Sequence, residues 1–95
     1  MTFRPLRLMC VDDQRTFRDA LHIAVDAEPD LLCVGAFDNT ADALGFLAGT
    51  PVDVVLMDLD LPVTDGIEGT RRIKAACPGV RVILLTGLAD LDTFV

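Results

Sequence analysis

Four polar residues stand directly behind apolar runs, and their types suit the handling of a charged ligand. Asp12 and Asp13 follow Leu6–Val11, Asp58 follows 52–57, and Thr86 follows 80–85. In an open α/β sheet the ligand site lies beyond the carboxyl ends of the strands. Three carboxylates and a hydroxyl from separate segments would then share one edge. Two carboxylates ~4 Å apart repel by about 4 kcal/mol at an effective dielectric near 20. Such a cluster calls for a cation or for partial protonation. Oxygen-only ligands suit a hard cation, and few protein ligands completed by water suit Mg²⁺ in particular. Mg²⁺ would in turn draw a phosphoryl group to the edge.

Each of these residues also has a plainer reading. Asp12-Asp13 can cap the helix that follows, since Asp favours the N-cap and the positive end of the helix dipole. Asp58 can open an Asx-turn ahead of Pro62, and Thr86 alone says nothing. Capping does not require them to meet at one edge, and that joint placement carries the cation reading. Asp53, at the other end of its strand, reads as solvated or capping. His22 reads as exposed and paired with a neighbour, and Arg71-Arg72 as a solvated helix face rather than a phosphate clamp.

The elements that would position these residues follow from apolar periodicity. Residues 6–11 read as a strand. From 14 to about 28, Phe17, Leu21 and Ala24/Val25 recur at helical spacing, with Arg18, His22 and Asp26 on the opposite side. Pro29-Asp30 stops that helix. Residues 31–37 form a second strand weakened by Gly35, and Asn39 or Thr40 caps a short helix holding Ala43, Leu44 and Leu47. The near-continuously apolar 52–57 reads as a central parallel strand covered on both faces. Asp65 caps a third helix over 66–76, with Ile67, Thr70, Ile73 and Ala76 on one face and Glu68 able to pair with Arg72. Residues 80–85 form a fourth strand. This β/α alternation predicts a parallel sheet with right-handed crossovers.

Composition narrows the function further. With 95 residues the chain has room for one small domain, and 52% hydrophobic against 24% charged residues fits a packed one. Eight basic and fifteen acidic side chains leave a net charge of −7, which argues against direct binding of a phosphate backbone. No Trp or Tyr offers a stacking platform for bases. No apolar run approaches the ~18 residues of a membrane span, and the N-terminus lacks the apolar stretch of a signal peptide. A cytosolic location is expected. Cys10, Cys33 and Cys77, widely separated and far from His22 in sequence, read as buried reduced thiols.

Three stretches carry a resemblance. Val11-Asp12-Asp13-Gln14, Leu56-Met57-Asp58-Leu59-Asp60-Leu61-Pro62 with Thr64-Asp65-Gly66, and Leu84-Leu85-Thr86-Gly87 are similar, in order, to the receiver domain of two-component response regulators. Ile67-Glu68-Gly69-Thr70-Arg71-Arg72-Ile73 resembles regulators that carry a C-terminal helix-turn-helix. The resemblance implies a flavodoxin-like α/β fold, a parallel sheet with helices on both faces and strand order 2-1-3-4, lacking the family's fifth strand and helix. Residues 1–95 would be one receiver domain, incomplete at its C-terminus. It further implies that Asp58 is the phosphoacceptor, served by a sensor histidine kinase. Asp13 would ligate Mg²⁺ directly, Asp12 mostly through water, Asp58 as another ligand and Asp60 through its main-chain carbonyl. Thr86 would donate its hydroxyl to the new phosphoryl group. The family's lysine at the end of the fifth strand and its aromatic switch residue have no counterpart, since the one lysine, Lys74, falls on the third helix. The role so implied is regulatory rather than enzymatic, with a transcriptional output. A homodimer is a further expected partner, and DNA would be reached only through an effector domain not in this chain.

Two rival readings remain. Asp58 and Asp60 also resemble the Asp-x-Asp signature of haloacid-dehalogenase-type phosphatases, although that motif normally ends the first strand. A binding-only pseudo-receiver would use the fold as an interaction surface without chemistry. An unpaired apolar edge at the fourth strand would favour association of two copies.

Overall fold

A computed structural model describes residues 4–85. The element order is β1 (Leu6–Val11), α1 (Arg15–Asp26), β2 (Leu31–Phe37), α2 (Thr40–Leu47), β3 (Val54–Asp58), α3 (Gly66–Ala76) and β4 (Arg81–Leu85). All strand pairings are parallel, and the sheet runs β2-β1-β3-β4. The order expected from the sequence holds. From β1 the chain steps one way to β2 and thereafter the other way. Right-handed crossovers therefore put α1 on one face and α2 and α3 on the other.

The side chains follow that division. Met9, Val11, Val55 and Met57 point to the α2/α3 face and close a core with Ala43, Leu47, Leu61, Ile73 and Val80. Met9, Met57 and Ile73 are fully buried, each contributing about 1.5–3 kcal/mol of burial. Leu8 and Cys10 alternate onto the α1 face and are buried there as well. In β2, register jumps so that Leu8 faces Cys33 and Met9 faces Gly35. The irregularity falls where the sequence places its glycine, as a strand interior without a side chain allows.

Several expectations shift. Helix α1 is shorter than 14–28, and only Val25 of its apolar face is buried. Strand β3 starts at Val54 rather than 52, because Asp53 is bound up with Arg7. Its carboxylate accepts from the Arg7 main-chain N–H at 2.8 Å and from Nε and Nη2 at 3.1 Å each. Asp53 is thus a clamp between β1 and β3 rather than a solvated residue, and the guanidinium holds its carboxyl down at about 2. Asn39 and Asp65 cap α2 and α3, each accepting a main-chain N–H at 2.8 Å. The buried face of α3 is Gly66, Gly69 and Ile73, while Ile67 stays 55% exposed. Of the thiols, Cys10 is buried and Cys33 and Cys77 are half-buried. Desolvation, then the Asp12 charge, pushes Cys10 up to about 12, so it stays a thiol.

Candidate functional site

The site forms where two neighbouring parallel strands leave the sheet together. Val11 pairs with Met57, so the next residue on each strand is an aspartate, Asp12 and Asp58. Strands β1 and β3 flank the point at which the winding reverses, where crevices open in such sheets. Asp12, Asp13 and Asp58 each offer a carboxylate oxygen, and these atoms lie within 4.8 Å of one another. Asp12 is buried at 8% exposure, Asp58 is half-buried, and Asp13 is exposed.

Local hydrogen bonds fix two of the three carboxylates, those of Asp12 and Asp58. The Asp12 N–H donates to the carbonyl of Phe37 at 2.9 Å, tying the turn to the end of β2. Asp12 Oδ1 accepts the Gln14 N–H at 2.8 Å, an Asx-turn. Neither Asp12 nor Asp13 is the N-cap of α1; Gln14 holds that place, without a side-chain cap bond. Asp58 Oδ1 accepts the Asp60 N–H at 3.0 Å. The turn geometry expected as an alternative for Asp58 is therefore present, and it coexists with the cluster.

The loop 59–65 is anchored at both ends. The Leu59 N–H donates to the Leu85 carbonyl at 2.9 Å, and the Gly66 N–H to the Leu59 carbonyl at 3.0 Å. Leu61 is buried as an apolar plug, whereas Val63 is 92% exposed. Gly66 lies so close beneath the acceptor strand that a Cβ there would collide with the Asp58 carbonyl oxygen. Sequence reasoning gave Gly66 no role of its own; its position just after the capping Asp65, in a short loop from Asp58, was the available signal.

Burial, more than any neighbour, raises the Asp58 carboxyl above its ordinary value. The Asp60 N–H opposes this, and the charges of Asp12, Asp13 and Asp60 add to it. A half-buried acid held among like charges is relieved by a cation. The donor set is all oxygen, three carboxylates converge, and one side is open to water. These residues fit Mg²⁺, which binds through a few carboxylates and keeps several waters.

The other candidates fall into place around this centre. The Asp60 carboxylate is not part of the three-carboxylate cluster; its residue contributes an N–H to Asp58. Thr86, expected to contact the phosphoryl group, lies outside the described residues, as does any helix beginning near 90. His22 is exposed and pairs with Asp26 at 2.8 Å, and Arg71 and Arg72 both pair with Glu68 on an exposed face. Lys74 donates to the carbonyls of Pro78 and Val80 at 3.0 and 2.7 Å, closing the end of α3. Arg18 is the residue the periodicity misplaced. It is half-buried and its Nη1 donates to the Asp12 carbonyl at 2.8 Å.

Comparison with known proteins gives a consistent picture. The response regulator receiver domain family matches residues 8–95. The crystal structure of the response regulator domain of Thermotoga maritima CheB superposes with a TM-score of 0.81 at 31% identity, over 90% of this chain and 63% of that one. Transcriptional regulatory protein LnrK of Bacillus subtilis is 31% identical over 85 residues, which are 90% of this chain and 39% of that protein. Protein-glutamate methylesterase/protein-glutamine glutaminase 3 of Pseudomonas aeruginosa is 42% identical over 79 residues, 83% of this chain and 24% of that protein. The chain thus spans well under half the length of these two curated relatives. Among the described residues no helix is long and apolar enough to cross a membrane.

Proposed function

The chain belongs to the response regulator receiver domain family, and from that premise we propose that Asp58 takes up a phosphoryl group from the phosphohistidine of a sensor histidine kinase. The observation that carries this is the meeting of Asp12, Asp13 and Asp58 at the ends of β1 and β3. A bound Mg²⁺ would supply countercharge and orientation for the phosphoryl oxygens. Asp13 and Asp58 would hold it directly, Asp12 through water, and Asp60 through its main-chain carbonyl.

Asp58 Oδ1 is already engaged by the Asp60 N–H, which leaves Oδ2 as the attacking atom. An Oδ2–P bond forms in line as the P–N bond breaks, and the electron pair returns to the imidazole nitrogen, which takes up a proton. A carboxylate is a modest nucleophile, so positioning and charge neutralisation supply most of the rate. Thr86 would receive the new phosphoryl oxygen with its hydroxyl.

The domain would act as a regulatory switch in the cytoplasm rather than as an enzyme. A transcriptional output is supported by relatives such as LnrK, and DNA contact would belong to an effector domain outside residues 1–95. A second copy of the chain would be a further partner, associating through the apolar edge at β4. The phosphatase reading is the weaker one, since the Asp60 carboxylate does not join the cluster.

The test is incubation with a phosphodonor and Mg²⁺, followed by measurement of the acid-stable, base-labile label. Asp58→Asn should abolish it, and Asp53→Asn, just before the start of the same strand, should retain it. Label that persists in Asp58→Asn and maps to another residue would overturn the assignment. No label in the wild type would favour a binding-only domain.

A further inference from the structure

The turn that carries Asp12 and Asp13 is held at more points than a strand end needs. Its N–H goes to Phe37, its Oδ1 takes the Gln14 N–H, and its carbonyl takes Nη1 of Arg18 at 2.8 Å. That carbonyl belongs to the peptide joining the two aspartates. Arg18 reaches it from the first turns of α1, where its own N–H donates to the Gln14 carbonyl at 3.1 Å. Among the described residues, Arg18 is the one side-chain donor on this turn.

We propose that Arg18 is a positioning residue for the cation site: by fixing the Asp12–Asp13 peptide plane, it sets the direction in which the Asp13 carboxylate leaves the turn towards Asp58. The inference rests on the reading of these carboxylates as an Mg²⁺ site. Asp13 is exposed, and among the described residues its carboxylate accepts no hydrogen bond, which leaves the peptide plane to set the direction of its Cα–Cβ bond. A charge-assisted hydrogen bond to that plane is of the stronger kind. Without it the plane can rotate, and ordering it again falls to the metal. Residues that orient ligands from behind typically change metal affinity by about 10–100-fold. Arg18 acts through the main chain, so the lower end applies.

The opposite role, a simple countercharge, predicts the opposite sign. Removing a cation beside three carboxylates would tighten Mg²⁺ binding, most strongly at low salt.

Calorimetric titration of Mg²⁺ into wild type, Arg18→Ala and Arg18→Lys separates the two. Arg18→Ala should bind about tenfold more weakly. Arg18→Lys, whose ammonium can still reach the carbonyl, should recover most of the loss, and the difference should persist at high ionic strength. Arg18→Met keeps the apolar stem without the donor and replaces Arg18→Ala if that variant does not fold by circular dichroism. Unchanged or tighter affinity in the folded variants overturns this inference alone. A wild type that binds no Mg²⁺ removes the metal reading and this inference with it.

Discussion

An ionised Asp58 is a burden on the fold that carries it. Burial first, and then the charges around it, raise its carboxyl, so the folded chain takes up its proton more readily than the unfolded chain does. The linkage follows: stability falls as pH rises from the ordinary carboxylate range through the raised folded value, and is regained below it. At pH 7, without divalent ion, Asp58→Asn should therefore melt higher than wild type by a few degrees; about 1 kcal/mol moves a domain of this size by roughly 4–8 °C. Adding Mg²⁺ should raise the wild type and narrow the gap. Thermal unfolding with and without chelator checks both, and a lower melting point for Asp58→Asn in chelator contradicts the account. Asp58 was legible in the sequence because it ends an apolar run, which fixes both its strand and its edge. Arg18 was not. Periodicity gives the angle of a residue about its helix axis, but Arg18 sits near the start of α1, within reach of the β1–α1 turn. A residue on the nominally outer side can still fold back onto that turn.

Helix α3 shows how an element is placed by what its residues lack. Helical spacing puts Ile67, Thr70, Ile73 and Ala76 on one face, yet only Ile73 of these is buried. Gly66 and Gly69 let the helix axis come close to the end of β3 and to Thr40, which rotates Ile67 outward. Apolar spacing cannot report this, because it counts side chains and the closest contacts here are made where there are none. Gly66→Ala should destabilise by about 1–3 kcal/mol, the usual cost of overpacking, since the obstructing atom is the Asp58 carbonyl and not a flexible tip. It should also weaken Mg²⁺ binding, as the carbonyl moves with the acceptor. Gly45 lies inside α2, and apart from its chain neighbours and the helix's own backbone nothing stands within 4 Å of where a Cβ would sit. Gly45→Ala should therefore stabilise by about 0.5–1 kcal/mol. Urea unfolding of both variants tests the contrast, and equal signs would refute it.

Across the whole molecule, the two ends of the sheet are held by different means. The carboxyl ends gather like charges, while the opposite end is locked by Arg7 on Asp53, with Arg4 at 3.7 Å adding to it. The depressed Asp53 carboxyl gives stability that is present above the ordinary carboxylate value and lost as pH falls from about 4 towards about 2. Asp53→Asn should flatten the acid limb of the stability curve in that window; an unchanged limb would show that the clamp does not hold the strands. The parallel sheet was readable from the β/α alternation, and its strand order came only through the family resemblance, whereas this clamp joins residues 46 positions apart and leaves no local signature. The sheet order also has a consequence in time. Strands β1 and β3 are paired on both sides, while β2 lies at one end of the order. Amide protons of Leu8–Val11 and Val54–Asp58 should then exchange with solvent only when the whole domain opens, and those on the outer side of β2 through smaller local excursions. The aspartates of the site thus hang from the last strands to part. Mg²⁺ at ten times its dissociation constant should slow exchange about elevenfold in β1 and β3 and leave the outer β2 amides at their former rates. The site would thereby remain assembled through most of the fluctuations that reach the molecule's periphery.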